Sequence, residues 1–171
     1  RQRQMCIRDS GSGNARGVIH TVFATANQQN IDVLSPEGGL DGFAIYSDGD
    51  YDYLGQNAVT LGDVNGDGLD DFATSKNSGP GKDEAYVVFG QTTTGSPVLS
   101  DIRNGTGGFL ISNSNVSERM NSQIVRGGDV NGDGIPDLIL AAPYESRGNS
   151  SRNGTYAVPN GGVYVVFGKT D

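Results

Sequence analysis

A ten-residue loop, written twice, limits this chain more than any other feature. Gly62-Asp63-Val64-Asn65-Gly66-Asp67-Gly68-Leu69-Asp70-Asp71 recurs as Gly128-Asp129-Val130-Asn131-Gly132-Asp133-Gly134-Ile135-Pro136-Asp137. Counted from the first aspartate, side-chain oxygens fall at positions 1, 3, 5 and 9. These are Asp63, Asn65, Asp67 and Asp71 in one copy, and Asp129, Asn131, Asp133 and Asp137 in the other. Calcium takes roughly six to eight oxygens, and alternate side chains in a tight turn can converge on one point. The position-7 carbonyls, Leu69 and Ile135, add one oxygen to each set. Each loop therefore reads as a clamp for one calcium ion, two in all. Asp70 is expected to face outward, because the matching residue, Pro136, has no side-chain oxygen.

The flanks decide what kind of loop this is. An EF-hand needs a bidentate glutamate at position 12 and helices on both sides. Position 12 is Thr74 in one copy and Leu140 in the other. The neighbouring runs, Ala58-Val59-Thr60-Leu61 and Leu138-Ile139-Leu140-Ala141, have strand composition. The loops belong to β-hairpins. An Asn-Gly or Asp-Gly turn without metal is the plain alternative. Three carboxylates in one turn repel each other without a cation between them, which favours the metal reading.

The repetition extends beyond the loops. Asp63 and Asp129 stand 66 residues apart, as do Gly42-Phe43 and Gly108-Phe109, and Val22-Phe23 and Val88-Phe89. Only Phe89-Gly90 to Phe167-Gly168 departs, at 78. The surplus lies within residues 143–162, a Ser-, Asn- and Gly-rich stretch that reads as an enlarged surface loop. One period carries four strand candidates, at residues 57–62, 72–75, 85–90 and 108–112. Residues 91–107 are polar apart from Val98, Leu99 and Ile102. Four antiparallel strands at a fixed period are the signature of a propeller blade. The expected fold class is all-β, a partial β-propeller of four-stranded blades with calcium-binding hairpin loops. Its divisions are residues 11–55 as outer strands of a preceding blade, 56–113 as a complete blade, and 114–171 as a blade lacking its last strand.

Residues 1–10 stand apart. Met5-Cys6-Ile7-Arg8-Asp9-Ser10 reads as the translated end of a sequencing adapter, and that stretch is left out of the expected fold. It holds the sole cysteine. Without Arg1, Arg3, Arg8 and Asp9 the net charge moves from −8 to −10, and two calcium ions would bring it to −6. Such acidity argues against nucleic acid, which needs a basic face. No apolar run reaches membrane-spanning length. The 27 glycines fit a β-rich chain with many turns.

Catalytic material is scarce. His20 matches Tyr86 and Tyr164 on a packed strand, and a lone histidine without a genuine cysteine leaves little for triad chemistry. The abundant acids are better explained as ligands than as acid–base pairs. Gly105-Thr106-Gly107-Gly108 precedes a strand and lacks a phosphate-loop lysine. Sequons occur at Asn104, Asn115, Asn149 and Asn153.

Together, Gly-Asp-Val-Asn-Gly-Asp-Gly, then Ala-Ala-Pro, then Tyr-Val-Val-Phe-Gly resemble the FG-GAP repeat of integrin α-subunit propellers, and bacterial members most of all. The resemblance spans about residues 17–168. Ala24 replaces the glycine of Phe-Gly, and Thr74-Ser75-Lys76 replaces the Gly-Ala-Pro segment. It implies a seven-bladed ring of which this chain supplies about two blades, a fragment at both ends. It also implies that the metal loop joins the innermost strand of a blade to the second.

In that topology the connections at residues 47–55, 76–84, 113–121 and 143–162 lie on the face opposite the calcium loops. They carry Tyr51, Tyr53, Tyr144, Arg147, Arg152 and Tyr156, side chains suited to a protein or glycan ligand. The expected role is a non-enzymatic, extracellular binding or cell-adhesion scaffold. The alternative is an accessory or catalytic propeller of a secreted hydrolase or lyase.

Overall fold

The computed structural model describes residues 2–7, 17–23, 42–77, 83–112, 123–143 and 161–170, without side chains at 2–7 and 83. Three antiparallel sheets account for nearly all of its regular structure. The central sheet runs β4 (Ala58–Gly62), β5 (Asp71–Asn77), β6 (Asp83–Val88), β7 (Gly108–Ser112). On one side of it lies β1 (Gln2–Ile7), β2 (Val18–Phe23), β3 (Gly42–Tyr46). On the other lies β8 (Gln123–Gly128), β9 (Asp137–Ala142), β10 (Gly162–Val166). Each sheet is a meander in which sequential strands pair, and the arrangement fits a propeller-type fragment.

Two sheet-to-sheet cores explain why the central strands are apolar on both faces. On β5, Phe72 points into a cluster with Ile19, Phe43 and Ile45 of the first sheet and with Tyr86 and Val88 of β6. Ala73, one residue on, points the other way, toward Ile124, Leu138 and Leu140 of the third sheet. Strand side chains alternate between faces, so a sheet sandwiched by two others needs both sets apolar. Burying each large side chain completely contributes about 1.5–3 kcal/mol.

The four strands of the central unit fall where the 66-residue pattern puts them, with β5 two residues longer at its C-terminal end than expected. Two features differ from the sequence reading. Residues 91–107 contain a short helix, α1 (Leu99–Arg103), whose Leu99 and Ile102 seal the first core. Five residues are too few to display a helical period. Gln2–Ile7, left out of the expected fold, runs as β1 along β2. Its register, from Gln2 opposite Phe23 to Ile7 opposite Val18, puts it where β5 lies against β6. Any extended segment can satisfy the exposed N–H and C=O groups of a strand edge, whatever its side chains.

The third sheet shows what an uncovered unit looks like. In the central sheet Ala85 and Val87 are fully buried against it. Their counterparts on β10, Val163 and Val165, are 66% and 40% exposed. Val64 is buried and its counterpart Val130 exposed. The free face of β8–β10 thus repeats a surface that the neighbouring unit keeps dry.

Candidate metal centres

Each acidic loop is launched by the same irregularity. The pairing of β4 with β5 shifts between Thr60 and Gly62, and that of β8 with β9 between Arg126 and Gly128. A bulge sharpens the local twist and turns the chain into the loop. Gly66, Gly68, Gly132 and Gly134 then take φ of 80° to 89°, a region that side-chain-bearing residues rarely enter.

Within the loops the aspartates collect backbone N–H groups. Asp63 Oδ1 accepts from Gly66 at 2.7 Å and Asp67 at 3.0 Å, and its Oδ2 from Gly68 at 2.8 Å. Asp129 makes the same three bonds to Gly132, Asp133 and Gly134, at 2.7, 3.0 and 2.8 Å. Asn65 Oδ1 accepts from Asp67 N–H at 3.0 Å, and Asn131 Oδ1 from Asp133 N–H at 3.1 Å. Each asparagine amide donates to the next aspartate, at 2.9 Å and 2.8 Å. Leu69 and Ile135 donate their N–H to Asp67 and Asp133, both at 2.8 Å. The two loops agree bond for bond, so nine residues of sequence dictate this geometry with little help from their surroundings.

Position 9 has a further task. Asp71 is fully buried, and its oxygens accept from Val64 at 2.8 Å and from Gly90 at 2.7 Å. Asp137 does the same with Val130 at 2.7 Å and Gly168 at 3.0 Å. One carboxylate therefore ties the loop to the Phe-Gly that follows the third strand of each unit. Burial pushes the Asp71 carboxyl up to about 6, with the charges of Asp67 and Asp63 adding, against the lowering effect of the Gly90 and Val64 bonds. Asp70 is exposed, as its mismatch with Pro136 implied.

Among the described residues no three carboxylate, imidazole or thiol groups converge tightly enough to grip an ion. The donor chemistry nonetheless fits calcium. Every side chain at positions 1, 3, 5 and 9 offers oxygen, and a carboxylate has about four acceptor sites. Asp63 uses three of these on N–H groups and Asp71 two. An ion here would supply positive charge among carboxylates crowded into one turn.

At the opposite end of the central sheet lies a charged cluster that the sequence reading missed. Lys76 Nζ, almost buried, sits 2.5 Å from Asp48, 3.2 Å from Asp52 and 3.9 Å from Glu84. Arg103 pairs closely with Asp48, lies 3.1 Å from Glu84, and stacks 5.5 Å over the Tyr86 ring. The Arg103 bond, with help from Lys76, holds the Asp48 carboxyl well below the usual carboxylate range. Burial and Glu84 together push the Tyr86 phenol up. Two signals announced the cluster: the alternation of Asp48, Asp50 and Asp52, and Lys76 standing where the next unit has Ala142.

This cluster anchors the loop that carries two of the expected partner-facing residues. Asn77 N–H donates to the Asp52 carbonyl at 2.7 Å, and Gly55 N–H to that of Ser75 at 3.1 Å. Tyr51 and Tyr53 flank Asp52 with φ of 57° and 49°, and Tyr51 is 54% exposed. The other four, Tyr144, Arg147, Arg152 and Tyr156, lie outside the described residues, as does most of the 143–162 loop.

Comparison with known proteins bears on the third sheet. No curated protein matches the chain at a significant level. The FG-GAP repeat family matches residues 122–166, from the start of β8 to the end of β10. Bulge, loop, buried position-9 aspartate and paired third strand all fall inside that span. Residues 122–166 are an FG-GAP repeat.

Proposed function

We propose that the chain is part of a calcium-stabilised β-propeller, seven-bladed in the integrin manner, that serves outside the cell as a binding or adhesion scaffold and not as an enzyme. The observation that carries this reading is the duplicated loop, bonded identically in two successive units. The uncovered face of β8–β10 adds support, because a further blade there would bury Val130, Val163 and Val165 as the third sheet buries Val64, Ala85 and Val87.

In this reading Asp63, Asn65, Asp67, Asp71 and the Leu69 carbonyl hold one ion, and Asp129, Asn131, Asp133, Asp137 and the Ile135 carbonyl the other. The partner, a protein or glycan, meets the end away from the loops. Tyr51 there offers an exposed ring on a turn fastened from below by Asp52 and Lys76. An aromatic side chain held in one place loses little freedom on binding.

Calcium should raise thermal stability without being required for folding. Extracellular calcium modules bind at about 10⁻⁴–10⁻³ M, so millimolar calcium contributes roughly 0.4–1.4 kcal/mol per site. For a domain of this size that is a rise of a few degrees in Tm for the two sites together. A melting curve in EDTA that superimposes on the curve in millimolar calcium would refute the metal reading.

A further inference from the structure

We infer that the gap between the central and third sheets is a binding site for a small apolar molecule with one aromatic ring. A cavity of about 190 Å³ lies there, walled by Val87, Phe89 and Phe109 of the central unit and by Leu138, Val166 and Phe167 of the third. Among the described residues its lining has two polar side chains, Asn65 and the exposed Lys169. Water finds few hydrogen-bond partners in such a space, and an apolar cavity of about 150 Å³ stays dry and admits benzene. Phe167 is 56% exposed, so the wall reaches solvent at that point.

The neighbouring core shows why the ligand is a ring. There three phenyl rings stand in series. Phe23 meets Phe43 edge-on, with centroids 6.2 Å apart and planes at 63°, and Phe43 meets Phe72 at 6.4 Å and 31°. The second core begins the same way. Phe89 and Phe109, 66 residues on from Phe23 and Phe43, stand at 6.1 Å and 62°. The series then breaks, because Leu138 occupies the position of Phe72. The first core is also closed by Leu99 and Ile102 of α1, which join one cluster with Phe43, Phe72 and Val88. Among the described residues no helix repeats that cover over Phe109, Leu138 and Val166. The cavity is therefore bounded by Phe109 and Leu138, the pair whose counterparts touch ring to ring. A ligand ring entering it would complete the series. Edge-on and tilted ring pairs are favoured by about two- to tenfold over contacts of equal area without a second ring.

The assignment does not rest on calcium. Toluene is titrated into the full chain and followed by NMR. It should bind saturably at one site, with its ring protons close to Phe109 and Leu138 and away from Phe43 and Phe72. Methylcyclohexane is the control for shape without aromaticity. After correction for each compound's partition from water into alkane, toluene should bind about two- to tenfold more tightly. Leu138→Phe supplies the third ring from within and should abolish saturable binding. Because an added ring can overpack a core and unfold it, the ring-proton contacts and the toluene-to-methylcyclohexane ratio in the parent decide without that variant. Uptake that does not saturate, contacts away from Phe109 and Leu138, a corrected ratio of one, or undiminished binding to a folded Leu138→Phe chain would overturn the inference.

Discussion

Asp71→Ala is expected to destabilise the chain by about 3 kcal/mol, while Asp137→Ala costs nearer 1 kcal/mol, although the two aspartates make the same bonds. Removing Asp71 strands the N–H groups of buried Val64 and half-buried Gly90, and a buried donor left unpaired costs about 1–3 kcal/mol. Val64 is buried beneath the third sheet, and the N–H of Lys169, just past β10, also reaches the Val64 carbonyl at 2.9 Å, so water cannot take over. Val130 is 53% exposed, and water can replace the lost carboxylate there. Urea denaturation of the two variants measures the difference directly. Equal losses would mean that burial of the loop backbone is not what makes position 9 matter.

The same residue gives a pH signature. Burial raises the folded Asp71 pKa above its unfolded value of 3.8, to about 6. Its contribution to stability is therefore full below the unfolded value and is lost as pH rises through about 6 in the metal-free chain. Asp71→Asn should flatten that part of the stability profile.

Lys76→Met should cost about 3–5 kcal/mol, the range for breaking a buried ion pair by removing one partner. The loss falls on Asp52. That carboxylate is fully buried, and among the described residues its Oδ2 keeps only the Gly49 N–H at 3.2 Å and its Oδ1 has no hydrogen-bond partner. Replacing both partners, Lys76→Met with Asp52→Leu, should recover more than half of the loss, because two apolar groups leave no stranded charge. Thermal or urea denaturation of the single and double variants decides it. A single variant within about 1 kcal/mol of the parent would show that Arg103 alone neutralises the cluster.

Much of this architecture was legible because it is written twice. The 66-residue spacing located β4, β6 and β7, and the 1-3-5-9 pattern located both loops before any pairing was known. What escaped is what does not repeat. Lys76 occupies a position that is alanine in the next unit, a mismatch that marks the residue but cannot name its partners, since Asp48 and Asp52 come from the preceding connection and Glu84 from the neighbouring strand. α1 escaped for its length, since Leu99 and Ile102 alone cannot distinguish a helical turn from a strand. The dual use of Asp71 and Asp137, as position-9 oxygens and as ties to Gly90 and Gly168, depends on contacts 19 and 31 residues away. Spacing within a loop carries no information about such contacts.

Calcium titration by isothermal calorimetry tests the central claim most directly, using the parent chain beside Asp63→Asn and Asp129→Asn. The expected result is saturable uptake of two ions by the parent, with dissociation constants on the order of 10⁻⁴–10⁻³ M. Each variant should retain one. No saturable uptake, or uptake that neither substitution changes, would contradict the account of these loops as paired calcium sites.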